Sequence, residues 1–124
     1  MHYIDQIYDS YKGNISLYAP YTDKQNKNIP EELYSILSIS NSILETMHLP
    51  ATGETIEISW IVYSHEMMIE WTDFYATNYN IEGVVFSDDD DNVYIIKPDN
   101  TITCYNTIEN IETKIADSLF DFFQ

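Results

Sequence analysis

The sequence predicts a single α+β domain in which helices pack on a central, mainly antiparallel sheet. The chain has 124 residues, a common size for one domain, and 44% of them are apolar, which is enough to build a core. Helical patterns occur near both ends and in the middle, and three runs rich in β-branched and aromatic residues follow one another between residues 82 and 105. This order is typical of an antiparallel meander covered by helices.

Two helices are predicted in the first third of the chain. Apolar side chains recur at helical spacing over residues 2–12, and Gly13 is a typical residue to end that helix. Residues 14–28 are polar and predict a loop with room for one short strand. A second helix begins at Pro30, because proline is tolerated in a first turn and the two glutamates that follow interact favourably with the helix dipole.

A strand and a longer helix are predicted in the middle of the chain. Residues 55–63 alternate between apolar and polar side chains, which is a strand pattern. Ser64 is suited to cap the helix that follows, and this helix should end near Asn78. The predicted apolar face of the helix consists of Met67, Trp71, Phe74 and Tyr75.

The second half of the chain predicts three strands and a closing helix. The strands cover residues 82–86, 93–97 and 101–105, and polar turns rich in Asp and Asn join them. The closing helix is predicted from a spacing of four or three between apolar residues. Its stripe consists of Ile111, Ile115, Leu119 and Phe122.

Charge is the strongest compositional signal of the chain. It has 21 acidic residues against five lysines and no arginine, a formal net charge of −16. Such a chain repels nucleic acids and anionic membranes, so direct binding to either is not expected. A basic protein partner fits this charge, because opposite charges accelerate association and select partners. Composition alone leaves open the alternative of an acidic surface that only provides solubility.

The sequence also predicts a cytoplasmic protein. Cys104 is the single cysteine, so no internal disulfide can form. The first residues include Asp5 and Asp9 where a secretory signal would be basic and then apolar. No segment approaches the length and apolarity of a membrane span.

Catalytic and metal sites are not predicted. His65 and Glu66 superficially resemble a zinc-protease helix, but Ile69 stands where that motif needs a second histidine. No nucleophile, base and stabilising donor can be assembled, and Cys104 is expected to be a small core residue. Trp60 and Trp71 could line a ligand pocket, although aromatic residues on strands and helices more often build core. We therefore expect a non-enzymatic protein without a cofactor.

An acidic run at residues 88–92 invites a calcium interpretation. Asp88 and Asp99 have the separation of the first and last ligands of an EF-hand loop. Val93 stands where that loop needs glycine, and the residues after it predict a strand instead of a curled loop. A weak, adventitious cation site and a solvated turn remain as alternatives.

Two sets of residues are candidates for partner binding. The acidic cluster could dock or steer the basic side chains of a partner, and exposed tyrosines could anchor it. The acidic residues are Asp88, Asp89, Asp90 and Asp91. The tyrosines are Tyr18, Tyr21 and Tyr79.

Four segments, taken in order, resemble motifs of the SUKH superfamily, which includes the Smi/Knr cell-wall regulators of fungi and many bacterial immunity proteins. Ile29–Tyr34 resembles the start of a family helix, and Tyr63–Met68 is similar to a junction where a strand ends and a helix begins. Phe86–Asp89 resembles part of an acidic family hairpin, and Ile115–Phe123 resembles the family's terminal segment. The resemblance covers residues 28–124.

The resemblance implies a SUKH-type fold and a protein-binding function. The expected function is that of an immunity protein that occludes a cognate bacterial toxin, for example a nuclease, whose cleft must be basic. One alternative is a regulatory or scaffolding module like the fungal members. Another is an acidic mimic of nucleic acid that blocks a DNA-binding enzyme.

Overall fold

The computed structural model describes residues 2–23 and 29–124. These residues form both helices and strands, and the last four strands follow one another along the chain. The elements are α1 (Tyr3–Ser10), β1 (Ile15–Leu17), α2 (Glu31–Leu37), β2 (Ile43–His48), β3 (Thr55–Val62), α3 (His65–Tyr79), β4 (Val84–Asp89), β5 (Asn92–Ile96), β6 (Ile102–Asn106), β7 (Ile111–Ala116) and α4 (Leu119–Phe122). The predicted α+β fold class is confirmed.

The strands form two antiparallel sheets. The first has three strands in the order β1-β2-β3, and the second is a four-stranded meander in the order β4-β5-β6-β7. The three strands predicted between residues 82 and 105 correspond to β4, β5 and β6. The sequence predicted one central sheet, whereas the strands are divided between two.

The two sheets meet at a seam between the end of β3 and the strand β4. The amide of Tyr63 donates a hydrogen bond to the carbonyl of Phe86 (2.7 Å), and the Ser87 hydroxyl donates to the carbonyl of Trp60 (3.3 Å). The Tyr63 hydroxyl donates to the carboxylate of Asp88. Tyr63 and Phe86 are almost completely buried, so the seam lies within the core.

One apolar cluster packs the helices against both sheets. α1 contributes Ile7 to this cluster, and α2 contributes its buried residues Leu33, Tyr34, Ile36 and Leu37. Its largest fully buried side chains include Leu33, Ile36, Leu37, Met68, Phe86, Ile95 and Ile102. Of the described helices, none is long and apolar enough to cross a bilayer.

Local signals place the first three helices as predicted. The His2 ring accepts a hydrogen bond from the amide of Ile4 (3.1 Å), which begins α1, and Gly13 follows that helix with a φ of +80°. Pro30 precedes the first turn of α2. The Ser64 hydroxyl caps α3 by accepting from the amide of Met67 (3.2 Å), and α3 ends one residue beyond the predicted end.

The buried face of α3 differs from the predicted face. Met68 and Tyr75 are buried, whereas Met67 and Trp71 are half-buried and Phe74 is 42% exposed. Phe74 packs edge-to-face against the rings of Trp71 and Tyr75, with centroid separations of 5.4 and 5.2 Å. Of the aromatic residues on the predicted face, only Tyr75 is therefore buried in the core, while Trp71 packs beside the core and Phe74 covers both rings at the surface.

The predicted closing helix is wrong over most of its length. Residues 111–116 form β7, and α4 covers only Leu119–Phe122. Ile111 and Ile115 are 53% and 47% exposed, so they do not belong to a buried helical stripe. Their spacing of four residues also fits a strand, because four is a multiple of the strand period. Pairing of β7 with β6 satisfies backbone groups that would otherwise form an open edge.

Strand β2 was not predicted, although it is the central strand of the first sheet. Its outer end is solvated, and the pattern of residues 43–48 lacks a clear alternation. Its place is set by pairing with β1 and β3 on both sides. The single short strand that the loop region had room for is β1.

His65, the first residue of α3, is buried, whereas Glu66 and Glu70 are exposed. The His65 ring stacks on Tyr21 with a centroid separation of 4.0 Å, and Nε2 lies 3.1 Å from the Tyr34 hydroxyl. Burial lowers the pKa of His65, and the charges of nearby acidic residues oppose this shift only in part. The folded protein therefore favours neutral His65.

We expect the Tyr63→Phe variant to be less stable by about 1–3 kcal/mol, because Asp88 loses the hydroxyl donor that bonds its half-buried carboxylate. Urea denaturation measures the free energy of unfolding. Tyr8→Phe is the control, since Tyr8 is 55% exposed, and this change should have little effect. Equal stability of the Tyr63→Phe variant and the native protein would show that the hydroxyl does not stabilise the seam.

We expect His65 to contribute to acid sensitivity. The pKa of His65 is lower in the folded protein than the unfolded value of 6.5. As the pH falls below 6.5, the unfolded state therefore takes up the proton first, and the free energy of unfolding decreases. The native protein should lose more stability than His65→Gln between about pH 7.5 and about pH 5. Denaturation at several pH values measures this difference, and parallel curves for the two proteins would contradict it.

Candidate binding site: an acidic groove where the sheets meet

A cavity of about 360 Å³ opens where the two sheets meet, beside the acidic β4–β5 hairpin. Residues from all four of the strands β2 to β5 line it, together with the last residues of α1 and α4 and the residues that follow these helices. We call it the acidic groove. Its lining consists of Ser10, Tyr11, Glu45, Ser59, Trp60, Ile61, Ser87, Asp88, Asp89, Tyr94, Phe122, Phe123 and Gln124.

The seam between the sheets builds the floor of the acidic groove. Trp60 lies on β3, and Ser87 and Asp88 lie on β4, so the hydrogen bonds that join these strands also fix the floor. Ser87 is buried, and its hydroxyl is used in the bond to the Trp60 carbonyl. The floor is therefore a rigid part of the fold.

Contacts between α1 and the C-terminal segment build one wall. The Ser10 hydroxyl donates to the carbonyl of Phe123 (3.0 Å), and the Gln6 amide group donates to the carbonyl of Phe120 (3.3 Å). These bonds connect residues more than a hundred positions apart in the chain. The wall therefore depends on packing of the two terminal helices.

Three carboxylates face the acidic groove, and two are held by hydroxyl groups. Glu45 accepts a hydrogen bond from Ser59 through Oε1 (3.0 Å), and Asp88 accepts from Tyr63 through Oδ2. Both residues are half-buried, whereas Asp89 is exposed. Each of the two held carboxylates keeps a second oxygen that can accept from a ligand.

No described residue of the lining is a lysine or a histidine. Two described lysines form ion pairs elsewhere: Lys97 with Glu112 (2.9 Å) and Lys114 with Asp117 (2.6 Å). The carboxylates of the acidic groove have no such partner among the described residues. Their charge is therefore uncompensated within the part of the chain that the structure describes.

The pKa values of two tyrosines show the sign of the local field. Burial raises the pKa of Tyr94 to about 12, and the charge of Asp89 adds to the shift. Burial also raises the pKa of Tyr11, with further contributions from the charges of Glu45 and Asp89. Negative charge thus acts on both phenol groups, so the acidic groove favours a cation and disfavours an anion.

Aromatic rings give the acidic groove an apolar character as well. The rings of Tyr94 and Phe122 lie 5.1 Å apart between centroids, and Trp60 makes an edge contact with Tyr63 at 6.1 Å. Trp60 was considered either a pocket residue or a core residue from sequence, and it is half-buried in the lining. Carboxylates and ring faces together suit a cation that also has a flat or apolar surface.

The four aspartates of the predicted hairpin lie in different environments. Asp88 and Asp89 end β4 and line the acidic groove. Asp90 and Asp91 form the exposed two-residue turn, and Asp90 has a left-handed φ of +54°, which aspartate tolerates better than most residues. The hairpin thus extends negative charge from the groove outward into solvent.

The three candidate tyrosines are separate from one another, and none lines the acidic groove. Tyr18 is 43% exposed, and its hydroxyl donates to Glu57. Tyr21 is half-buried against His65. Tyr79 is 43% exposed and packs near the rings of Tyr75 and Tyr105, with centroid separations of 5.5 and 5.6 Å.

Several residues of the acidic groove could not be assigned from sequence. Glu45 lies on the unpredicted strand β2, and Tyr11 fits the apolar stripe of the first helix. Tyr94 belongs to a strand whose pattern gives no sign of a cavity. A local pattern cannot find them, because the groove forms only when distant segments pack together.

Other reactive groups do not converge on a common site. Cys104 is half-buried on β6, and burial, with a smaller effect of Asp89, raises the pKa of its thiol. Among the described residues, no three His, Cys, Asp or Glu side chains are grouped to hold a metal ion. Residues 92–96, which an EF-hand loop would need to curl, are extended in β5.

Comparisons with known proteins give no relative, since neither a family model nor a curated protein matches the chain. The chemistry of the site therefore has to be inferred from its residues. A concave, negatively charged surface that is also lined by aromatic residues is suited to bind a cationic group of a larger partner.

We expect the thiol of Cys104 to react slowly with iodoacetamide near pH 8, because its pKa is raised and only the thiolate is nucleophilic. Asp89→Asn should accelerate the reaction, since it removes a charge that raises this pKa. Mass spectrometry follows the alkylation. Asp73→Asn on the exposed face of α3 is the control, and equal rates for both variants would contradict the effect of Asp89.

Proposed function

We propose that this protein is a non-enzymatic binding protein of the bacterial cytoplasm, and that it is an immunity protein which neutralises a basic polypeptide toxin. One observation carries the proposal: the acidic groove is continuous with an exposed acidic hairpin, on a chain with a net charge of −16. A concave acidic surface is complementary to a convex basic one.

The proposed mechanism is occlusion of the toxin's basic site. A nuclease must present positive charge to its substrate, so an acidic protein can occupy the same surface. The exposed residues Asp90 and Asp91 would accelerate encounter, because long-range attraction mainly changes the association rate. The half-buried part of the groove would hold the complex, because desolvated contacts dominate binding energy.

The positions of the family-like motifs support the same proposal. Ile29–Tyr34 contains the first turn of α2, and Tyr63–Met68 begins directly after β3 and includes the start of α3. Phe86–Asp89 lies within β4 beside the acidic groove. Two of the SUKH-like segments, Tyr63–Met68 and Phe86–Asp89, therefore contain residues that form the seam between the sheets.

A pull-down from the source strain with tagged protein, at low and at moderate salt, tests the proposed function. Recovery of one toxin domain at both salt concentrations, identified by mass spectrometry, is the expected result. Recovery of several host proteins would instead favour a regulatory module. Displacement of a recovered DNA-binding enzyme by added DNA would favour a mimic of nucleic acid.

We expect simultaneous replacement of Asp88–Asp91 by asparagine to slow association with the toxin by about tenfold at low salt, because electrostatic steering is lost. The dependence of the association rate on salt should also become weaker. Stopped-flow or biosensor kinetics measure both effects. Asparagine keeps an acceptor for the Tyr63 hydroxyl, so the fold should be retained.

A matched control removes four other exposed carboxylates, by changing Glu54, Glu66 and Glu70 to glutamine and Asp73 to asparagine. This variant has the same net charge as the hairpin variant but keeps the hairpin. Its association rate should fall much less. An equal fall would show that total charge matters and that the hairpin has no specific role.

A further inference from the structure

We propose that the acidic groove is a receptor for one arginine side chain, which the basic partner inserts. The inference rests on the proposed function for the class of partner, and it adds the chemical group that is recognised. Three properties of the groove support it: its size, the arrangement of its carboxylates and its aromatic rings.

The size of the acidic groove suits a single side chain. A volume of about 360 Å³ lies at the lower end of the range of small-molecule sites, about 300–1,000 Å³. Such a space takes one long side chain with some water, but not a folded segment. A docking protein would therefore cover the rim and insert one group.

The carboxylates are placed to bind a branched donor. Glu45 comes from the first sheet and Asp88 and Asp89 come from the second, so negative charge meets the cavity from two sides. Because Ser59 and Tyr63 fix Glu45 and Asp88 through one oxygen each, their free oxygens have set positions. A guanidinium has five donors in a rigid fork and can bond to more than one carboxylate oxygen, whereas an ammonium is a compact point charge.

The aromatic residues also favour a guanidinium over other cations. Tyr11, Trp60 and Tyr94 contribute rings to the lining. Guanidinium is planar and weakly hydrated, so it stacks on such rings with a small cost of desolvation. A hard divalent metal ion binds through oxygen ligands, and the carbon atoms of aromatic rings do not contribute to its coordination.

The test uses the isolated protein and N-acetyl-arginine amide as the probe. The indole N–H signal of Trp60 is followed by nuclear magnetic resonance, and Trp71→Phe distinguishes it from the second tryptophan. We expect a saturable shift of the Trp60 signal. N-acetyl-citrulline amide, the neutral analogue of similar shape, should produce no saturable shift, and N-acetyl-lysine amide should bind more weakly than the arginine probe.

Paired variants test the role of the carboxylates. The double change Glu45→Gln and Asp88→Asn should raise the dissociation constant of the arginine probe by about tenfold or more, because two charge-assisted contacts are lost. The control changes Glu66 to glutamine and Asp73 to asparagine, which removes the same charge from the exposed face of α3. This control should bind the probe like the native protein. Circular dichroism checks that both variants are folded.

Two results would overturn the inference: an equal response of Trp60 to the arginine and citrulline probes, or equal weakening by the two double variants. Either result leaves the proposed function intact if the pull-down still recovers one toxin domain. Saturable binding of the arginine probe without a toxin in the pull-down would instead support the receptor and reject the immunity function.

Discussion

The hydrogen bond between the amide of Tyr63 and the carbonyl of Phe86 is the constraint on which the rest of the structure depends. It joins a three-stranded sheet to a four-stranded meander at a point where both side chains are buried. The same seam positions Asp88 through the Tyr63 hydroxyl and sets Trp60 beside Ser87. The same junction thus supports both the fold and the acidic groove, so a change there affects both.

The fold separates its acidic residues from its core. Carboxylates lie at turns, on the outer face of α3 and along the rim of the acidic groove, whereas the buried cluster is apolar. Self-repulsion among these charges opposes compaction, and the seam and the apolar cluster have to compensate for it. A basic partner would reduce this repulsion on binding, which gives an acidic protein a physical reason to form a tight complex.

Local chemistry predicted much of the fold. Gly13 after α1, the Ser64 cap and the turn at Asp90 act within a few residues, so α1, α3 and the β4–β5 hairpin could be predicted from sequence, whereas the His2 cap was not predicted. The strand β7 could not be predicted from sequence, because the spacing of Ile111 and Ile115 fits both a helix and a strand. Only the pairing with β6 decides between the two. The acidic groove could not be predicted from sequence either, since its residues Tyr11, Glu45 and Trp60 lie far apart in the chain and come together only in the folded protein.

The contact between α1 and α4 also links occupancy of the groove to local unfolding. α4 has four residues, so it has little stability of its own, and bonds such as that between Ser10 and Phe123 hold the segment in place. Because Phe122, Phe123 and Gln124 form a wall, opening of this segment destroys the cavity. A ligand that binds only the closed cavity lowers the population of the open form. Backbone amides of residues 122–124 would then exchange more slowly with solvent deuterium, in proportion to the fraction of protein that is occupied.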